Sequence, residues 1–194
     1  MRVYVIRHGE SVNNSLKKWT GWFDAPLTEK GYQDASLVKE FLSGVKIDKV
    51  YSSDLSRSIE TSKTAMPNRE IEITPLLREI NLGSMENRPW TDMTAEQKER
   101  GVAVGYKEFG GETKDEFNAR INEFFKILEN SGFDSVAVFT HGGWLRGSLD
   151  KVLGVNLPKS KVLCGNCAFA IYDFDGEWIL NSFINNISAK VTPV

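Results

Sequence analysis

Both histidines of this chain end an apolar run and are followed by glycine. The run at 3–6 leads into Arg7 and His8, and the run at 136–139 leads through a threonine into His141. Apolar runs of this length are typical of buried strands, and α/β proteins bind ligands at the carboxyl ends of parallel strands. We therefore expect His8 and His141 to face one pocket.

An arginine and a glutamate follow two further predicted strands. Arg57 comes shortly after the strand expected at 49–52, and Glu79 follows the alternating polar and apolar segment at 70–74. Because parallel strands end at the same edge of a sheet, these side chains should meet the histidines there. The pattern predicts a pocket with two arginines, two histidines and a glutamate.

This set of residue types suits a phosphoryl group. Guanidinium groups match phosphate oxygens, and a neutral histidine can attack phosphorus as a covalent nucleophile. The charges of Arg7 and Arg57 should lower the pKa of His8 and keep its ring neutral. A carboxyl such as Glu79 can protonate the leaving oxygen. The sequence has no P-loop and no G-x-G-x-x-G motif.

The elements that must position these residues alternate between strands and helices, which is the α/β pattern. The predicted strands are 2–7, 49–52, 70–74, 136–140, 169–174 and 178–183. The predicted helices are 29–42, a second one ending near 64, 94–100, 114–128 and 143–153. Thr28 should cap the first helix and Ser53 or Asp54 the second. An Asp-Gly turn at 175–176 should join the last two strands.

Composition indicates an ordinary globular protein. The chain has 194 residues, of which 41% are hydrophobic and 26% are charged, and its net charge is −2. This charge argues against general binding to nucleic acid or to anionic membranes, although it permits a local basic pocket. No apolar segment approaches the roughly 20 residues of a membrane helix. No signal peptide pattern is visible either, so we expect a cytoplasmic location.

Cys164 and Cys167 form a C-x-x-C motif and are the two cysteines of the chain. A structural zinc site needs four ligands, and there is no second cysteine pair. The motif also does not begin a predicted helix, where redox pairs gain a low thiol pKa. A metal bound by the two histidines and a carboxylate would be repelled by the neighbouring arginines. We therefore expect no metal site and no cofactor.

The order of these motifs resembles the histidine phosphatase superfamily, which includes the cofactor-dependent phosphoglycerate mutases. The resemblance covers nearly the whole chain. Its most specific motif is Val-Ile-Arg-His-Gly-Glu at 5–10, followed by Asn14. The other matching segments are 20–31, 51–61, 77–83, 110–113 and 138–143.

The resemblance implies a three-layer α/β/α sandwich with a mostly parallel central sheet, as in the phosphoglycerate mutases. Residues 1–194 would form a single histidine phosphatase domain, with a short lid or insertion at about 81–112. It also implies three catalytic residues. His8 resembles the nucleophile that becomes phosphohistidine, and Glu79 resembles the proton donor that later activates water. His141 completes the set and helps to clamp the phosphate.

The resemblance also assigns binding residues. Arg7 and Arg57 match the arginines that clamp the phosphate, and Asn14 matches an added donor in the phosphate pocket. Thr20 and Gly21 match positions that touch substrate in the mutase branch. No metal is implied. The expected partner is a small phosphorylated metabolite, and the oligomeric state is not readable from the sequence.

The resemblance favours the phosphatase branch over the mutases. Thr-Gly-Trp at 20–22 is mutase-like, but the mutase stretch Asn-Glu-Arg-x-Tyr-Gly is Arg-Glu-Ile-Asn-Leu-Gly at 78–83. A lysine of the mutases falls at Trp90, and the segment between 83 and 110 is too short for their arginine pair. His-Gly-Gly-Trp at 141–144 is phosphatase-like. We therefore expect a metal-independent phosphomonoester hydrolase, with a phosphoglycerate mutase or a non-catalytic phosphate-binding module as alternatives.

Several of these positions also have a structural interpretation. Glu79 could form an ion pair with Arg78 or Arg88 rather than serve as an acid. Asn14 and the 20–21 pair could shape their loops without touching substrate. Packing in the core or under the lid is the expectation for four tryptophans: Trp19, Trp22, Trp90 and Trp144.

Overall fold

The computed structural model describes residues 1–155 and 162–185. Within them, six strands form one sheet in the order β3–β2–β4–β1–β5–β6. The strands are β1 (Arg2–Arg7), β2 (Lys49–Ser52), β3 (Glu72–Ile73), β4 (Ser135–Thr140), β5 (Phe169–Phe174) and β6 (Trp178–Ile184). The β3–β2, β2–β4 and β4–β1 pairs are parallel, whereas β1–β5 and β5–β6 are antiparallel. The sheet is mostly parallel, as expected.

Helices cover both faces of the sheet. In the described part of the chain they are α1 (Val12–Ser15), α2 (Glu29–Leu42), α3 (Ser56–Ala65), α4 (Ala95–Val104), α5 (Lys114–Glu129) and α6 (Gly142–Leu153). Side chains of α5 and α6 pack on one face of β1 and β4, and side chains of α2 and α3 pack on the other. Alternate residues of β1 supply the two faces, Val3 and Val5 on the first and Tyr4 and Ile6 on the second. The predicted α/β/α sandwich is confirmed.

Most predicted elements are confirmed, including α2 with its Thr28 cap, whose hydroxyl accepts the Gly31 N–H at 3.1 Å. The predicted cap of the second helix is wrong. Helix α3 begins at Ser56, and its N-cap residue Leu55 makes no side-chain cap bond. Ser53 instead contacts His141 through its hydroxyl.

The remaining differences concern lengths. Strand β3 keeps only two residues of the expected 70–74, since β2 pairs with it at just two positions. Helix α4 extends to Val104, four residues beyond the expected end, and glycine at 105 ends it. The hairpin connection comprises residues 175–177 rather than a two-residue turn.

Residues 81–112 lie between β3 and α5 and have a small core of their own. This segment is called the cap below, as distinct from the N-cap residues of helices. Helix α4 is flanked by one-turn 3₁₀ helices at Gly83–Met85, Trp90–Asp92 and Lys107–Phe109. The buried members of this core are Leu82, Met85, Met93 and Tyr106. The segment that the sequence left without a clear pattern is therefore ordered around apolar side chains spaced too irregularly to show a period.

The loop after β1 is packed directly on the start of α2. A Cβ on Gly9 would overlap the Gly31 carbonyl oxygen, and a Cβ on Gly31 would overlap the Glu10 carbonyl oxygen. The Thr28 N–H also donates to the Glu10 carbonyl at 2.9 Å. This close backbone approach fixes the turn that follows His8, and it requires glycine at both positions.

Gly31→Ala is expected to lower the free energy of unfolding by about 1–3 kcal/mol, because a backbone cannot relieve the overlap by rotating a side chain. Chemical denaturation measures this change. Gln33→Ala on the exposed face of α2 is the control and should stay within about 0.5 kcal/mol of the wild type. Equal stability of the two variants would contradict the close packing.

Candidate active site

The register of the central strands brings the two histidines together. Arg7 of β1 lies opposite Thr140 of β4, so the residues that follow leave the sheet side by side. The His8 N–H donates to the Thr140 carbonyl at 2.9 Å. The ring centroids of His8 and His141 are 5.1 Å apart. The two rings are therefore adjacent, as expected, and His8 lines the cavity described below.

The hydrogen bonds of His8 define its tautomer. Its Nδ1 lies 2.6 Å from the Gly9 carbonyl oxygen, which can only accept, so Nδ1 carries the proton. Nε2 then carries the lone pair and accepts from Arg57 Nε at 3.2 Å. Burial, with the charges of Arg57 and Arg7, holds the pKa of His8 well below 6.5. His8 is therefore neutral at pH 7, with its nucleophilic nitrogen beside a guanidinium.

Arg57 is a buried cation, with only 1% of its surface exposed. Its Nη2 donates to the Gly21 carbonyl at 2.7 Å and its Nη1 to the Phe23 carbonyl at 3.0 Å. Burial lowers its pKa to about 10, so it stays charged at neutral pH. No ion pair joins Arg57 to a carboxylate among residues 1–155 and 162–185.

Arg7 adds a second guanidinium that also lacks an ion pair within the described residues. Its Nη1 donates to the Cys164 carbonyl, and its Nη2 lies 3.5 Å from Asn14 Oδ1. Its Nε is buried without a hydrogen-bond partner there. Two such charges beside one neutral imidazole make a site that an anion would neutralise.

Asn14 shapes its loop and also lines the cavity. Its Oδ1 accepts the Ser11 N–H at 3.2 Å and an Asn166 amide N–H at 3.1 Å. Its own N–H donates to Ser11 Oγ, which completes a capping box on α1. The loop-shaping interpretation is therefore correct, and the predicted phosphate contact of Asn14 stays a prediction.

The side chain of Glu79 lies next to the N-terminus of α6. It forms no ion pair with Arg78 or Arg88, the two partners that the sequence suggested. Its carboxylate accepts the Ile80 N–H at 2.9 Å and the Gly143 N–H at 2.8 Å. Arg78 pairs with Asp54 and Arg88 with Asp92 instead. The ion-pair alternative is therefore wrong, and the carboxylate lines the cavity that His8 and Arg57 also line.

His141 is fully buried and bonded to a serine that the sequence did not assign to the site. Its Nε2 lies 2.9 Å from Ser53 Oγ, while its Nδ1 has no partner among the described residues. Ser53 Oγ also accepts the Leu55 N–H at 3.3 Å. Burial, with the charge of Arg57, holds the pKa of His141 well below 6.5. The unpartnered Nδ1 is available to a bound anion.

The loop at 20–23 links Arg57 to Glu79. Two of its carbonyls accept from Arg57, and the Trp22 indole Nε1 donates to the Glu79 carbonyl at 2.7 Å. The Trp22 N–H in turn donates to Glu86 Oε1 of the cap at 2.8 Å. Sequence reasoning missed Trp22 and Glu86 as positioning residues, because both act through backbone atoms distant in sequence. Thr20 and Gly21 line the cavity, and their contact with substrate stays a prediction.

A cavity of about 670 Å³ opens from these residues toward the cap. Glu79 is the one acidic residue that lines it within the described chain. The basic residues that line it are Arg7, Lys18, Arg57, Lys98, Lys114 and Arg146. The electrostatic character of the cavity is therefore that of an anion-binding site, although the net charge of the whole chain is −2.

The described residues offer no group of three His, Cys, Asp or Glu side chains that could hold a metal ion. Cys164 and Cys167 are free and pack in different clusters, one on each face of the sheet. Nowhere in 1–155 or 162–185 is a helix both long and apolar enough to cross a bilayer.

Comparison with known proteins identifies the family. A sequence profile described as the histidine phosphatase superfamily (branch 1) matches residues 3–186. The chain belongs to this superfamily. The match spans the strands, the cap and every residue that lines the cavity, so the resemblance found from the motifs is confirmed.

Other superfamily members resemble this chain over nearly its full length. The probable phosphoglycerate mutase GpmB of Yersinia pestis (strain Pestoides F) is 29% identical, over 95% of this chain and 90% of the relative. The crystal structure of TTHB049 from Thermus thermophilus is 30% identical, with a TM-score of 0.73, over 92% of this chain and 97% of that one. Entamoeba histolytica phosphoserine phosphatase in complex with 3-phosphoglyceric acid shares the fold at 24% identity, with a TM-score of 0.82, over 94% and 95%.

Gly143→Ala tests the position of Glu79 in this member of the superfamily. A Cβ there would overlap Glu79 Oε1, and the carboxylate would have to rotate away from the Gly143 N–H. We expect kcat for a phosphomonoester to fall by about 10- to 100-fold, since misplacing a reacting group is costly. The free energy of unfolding, measured with denaturant, should change little, because the flexible Glu79 side chain can move away from the new methyl group. A variant with full activity would contradict this placement.

Stability should fall between pH 7 and pH 5.5 in phosphate-free buffer. Both folded histidines have a pKa well below 6.5, whereas the unfolded chain protonates them near that value. Unfolding therefore takes up protons, and its free energy drops by up to about 1.4 kcal/mol per pH unit for each histidine.

Chemical denaturation at several pH values measures this slope. The carboxyls with a lowered pKa, those of Asp48, Glu116 and Asp173, titrate at lower pH and do not contribute in this window. His8→Asn removes one of the two groups, so its slope should be about half that of the wild type. A flat profile for the wild-type protein would show that the folded histidines accept protons.

Proposed function

We propose that this protein is a metal-independent phosphomonoester hydrolase that acts on a small phosphorylated metabolite through a phosphohistidine. The observation that carries the proposal is the state of His8. Its Nε2 holds a lone pair at neutral pH and lies 3.2 Å from the guanidinium of Arg57. A neutral nucleophile among buried cations is what attack on a phosphate dianion requires.

Binding of the phosphoryl group would satisfy buried polar atoms of the pocket that the chain itself leaves without partners. Arg7 Nε and His141 Nδ1 are both buried and lack hydrogen bonds among the described residues. Arg57 Nε can transfer its hydrogen bond from His8 to a phosphoryl oxygen, which frees the Nε2 lone pair. Asn14 can add a further donor at the same end of the cavity.

In the first chemical step, His8 Nε2 forms a bond to phosphorus and the bond from phosphorus to the leaving oxygen breaks. Glu79 takes up a proton before this step and gives that proton to the leaving oxygen, so the product leaves as a neutral alcohol. The imidazole becomes a cationic phosphoimidazole that still carries its Nδ1 proton. The Gly9 carbonyl, which accepts that N–H at 2.6 Å, stabilises the new charge.

In the second step, the Glu79 carboxylate removes a proton from water and the hydroxyl oxygen attacks phosphorus. The bond from phosphorus to Nε2 breaks, inorganic phosphate leaves and His8 returns to its neutral form. Glu79 thus acts first as an acid and then as a base, and the proton that it takes from water replaces the one that it gave to the alcohol. Its backbone bonds to Trp22 and Arg120 keep it in place for both steps.

A phosphoglycerate mutase is the second candidate, because a relative carries that name and Thr20 and Gly21 line the cavity. Trp90 lines the cavity at the position where the mutases carry a lysine, which speaks against a site that must hold a bisphosphate while it reorients. Incubation with 3-phosphoglycerate and a bisphosphate primer separates the two activities. We expect release of inorganic phosphate to exceed formation of 2-phosphoglycerate.

Rapid acid-free quenching with a ³²P-labelled phosphomonoester is expected to label the wild type but not His8→Ala, since the label sits on Nε2. Glu79→Gln should lower kcat by about 10²–10⁴-fold, because it loses general acid–base catalysis. Glu123→Gln, an exposed carboxylate on α5, is the matched control and should retain wild-type rates.

The same experiments distinguish the non-catalytic alternative. A phosphate-binding module would bind a phosphomonoester without turnover and would tolerate Glu79→Gln. Labelling that persists in His8→Ala, or an absence of hydrolysis across a panel of phosphorylated metabolites, would overturn the proposed function. Adding a chelator should leave the rate unchanged if catalysis is independent of metal.

A further inference from the structure

The outer part of the cavity is walled by aromatic and aliphatic side chains rather than by polar ones. Trp19 and Trp90 lie there with Val102 and Leu163. Trp90 is 41% exposed and Leu163 is 66% exposed. Exposed apolar side chains grouped at a cavity are typical of a surface that a ligand covers. Trp19 packs against the small core of the cap, as expected, whereas Trp90 is exposed beside the cavity.

The two indoles are held in place by backbone pairing between the 17–19 and 87–90 segments. The Trp19 N–H donates to the Arg88 carbonyl at 2.8 Å, and the Asn87 N–H donates to the Trp19 carbonyl at 2.7 Å. The Trp90 N–H donates to the Lys17 carbonyl at 2.9 Å. The ring centroids of Trp19 and Trp90 are 6.4 Å apart. An aromatic surface fixed in this way loses little entropy when a ligand stacks on it.

The charges of the cavity narrow the chemistry of its ligand further. Six basic side chains line it against one carboxylate among the described residues. That carboxylate, Glu79, already accepts two backbone N–H groups. An ammonium group on the substrate would meet repulsion and find no acidic partner, whereas a neutral apolar ring would meet the tryptophans.

We propose that the alcohol released from the substrate carries an apolar or aromatic ring that stacks on Trp90, and that it bears no cationic group. This inference rests on the proposed function, since it identifies the part of the substrate that lies beyond the phosphoryl group. The end of the cavity with His8 and the arginines binds the phosphoryl group of the ester. The end with the tryptophans binds the alcohol group and selects among different alcohols. Trp90 is then a specificity-determining residue.

Three esters of primary alcohols test the proposal without large differences in leaving group. Ethyl phosphate is the reference, 2-phenylethyl phosphate adds a ring, and phosphoethanolamine adds an ammonium group. The wild type should give kcat/KM about tenfold higher for 2-phenylethyl phosphate than for ethyl phosphate, which is the scale of one buried ring contact. Phosphoethanolamine should be the poorest of the three substrates.

Trp90→Ala should lower kcat/KM more for 2-phenylethyl phosphate than for ethyl phosphate, so that the ring preference falls to about threefold or less. Trp90→Phe should restore most of the preference. Tyr32→Ala, which removes an aromatic residue of similar exposure outside the cavity, should keep the full preference. Equal kcat/KM for the ring-bearing and ethyl esters, or an equal fall for both in Trp90→Ala, would overturn the proposal.

The design separates this inference from the proposed function. If neither these esters nor the panel of phosphorylated metabolites is hydrolysed, the proposed function fails. Calorimetry with 2-phenylethylphosphonate and ethylphosphonate still measures the ring preference in that case. About tenfold tighter binding of the ring-bearing phosphonate than of ethylphosphonate, with this difference lost in Trp90→Ala, would support stacking of the ring on Trp90. Equal affinity for the two phosphonates would reject it even if hydrolysis of other esters is observed.

Discussion

The rest of the site depends on the hydrogen bonds of the buried Arg57 guanidinium. It has 1% of its surface exposed and donates to the carbonyls of Gly21 and Phe23 as well as to Nε2 of His8. A cation in such a place is stable only if several acceptors surround it. The 20–23 loop supplies two of them, and Nε2 of His8 supplies the third. The conformation of the 20–23 loop, the neutral form of His8 and the positive charge of the pocket therefore depend on one another through Arg57.

This arrangement is costly for the folded protein, because two cations lie near each other and both histidines are kept neutral. The cost is offset by the packing of the sheet beneath it, where β1 and β4 are buried between two helical layers. A bound phosphate would relieve it by pairing with both guanidinium groups. The fold stores the electrostatic preference for the ligand, so little reorganisation is needed when it binds.

The sequence predicts the catalytic end of the cavity well and its supporting contacts poorly, for a physical reason. His8 and His141 follow long apolar runs, and parallel strand ends must share an edge, so their proximity follows from periodicity alone. The bonds from Trp22 to the Glu79 carbonyl and from Ser53 to His141 leave no such trace. They join side chains to atoms far away in sequence, and nothing local marks them. The Ser53 cap prediction fails because α3 begins at Ser56 with Leu55 as its N-cap residue, so Ser53 lies two residues before the cap position.

The division between sheet and cap also separates chemistry from selectivity. Arg7 and His8 lie at the end of β1, His141 follows β4 and Arg57 lies in the first turn of α3, so changes to these elements disturb the main core. The cap has its own small core of Leu82, Met85, Met93 and Tyr106, so residues that face the cavity from it can vary without that penalty. Glu86 still connects the two, since its carboxylate accepts from Trp22 and Leu82. Residues of the cap that line the cavity can therefore change while His8, Arg57 and His141 keep their positions.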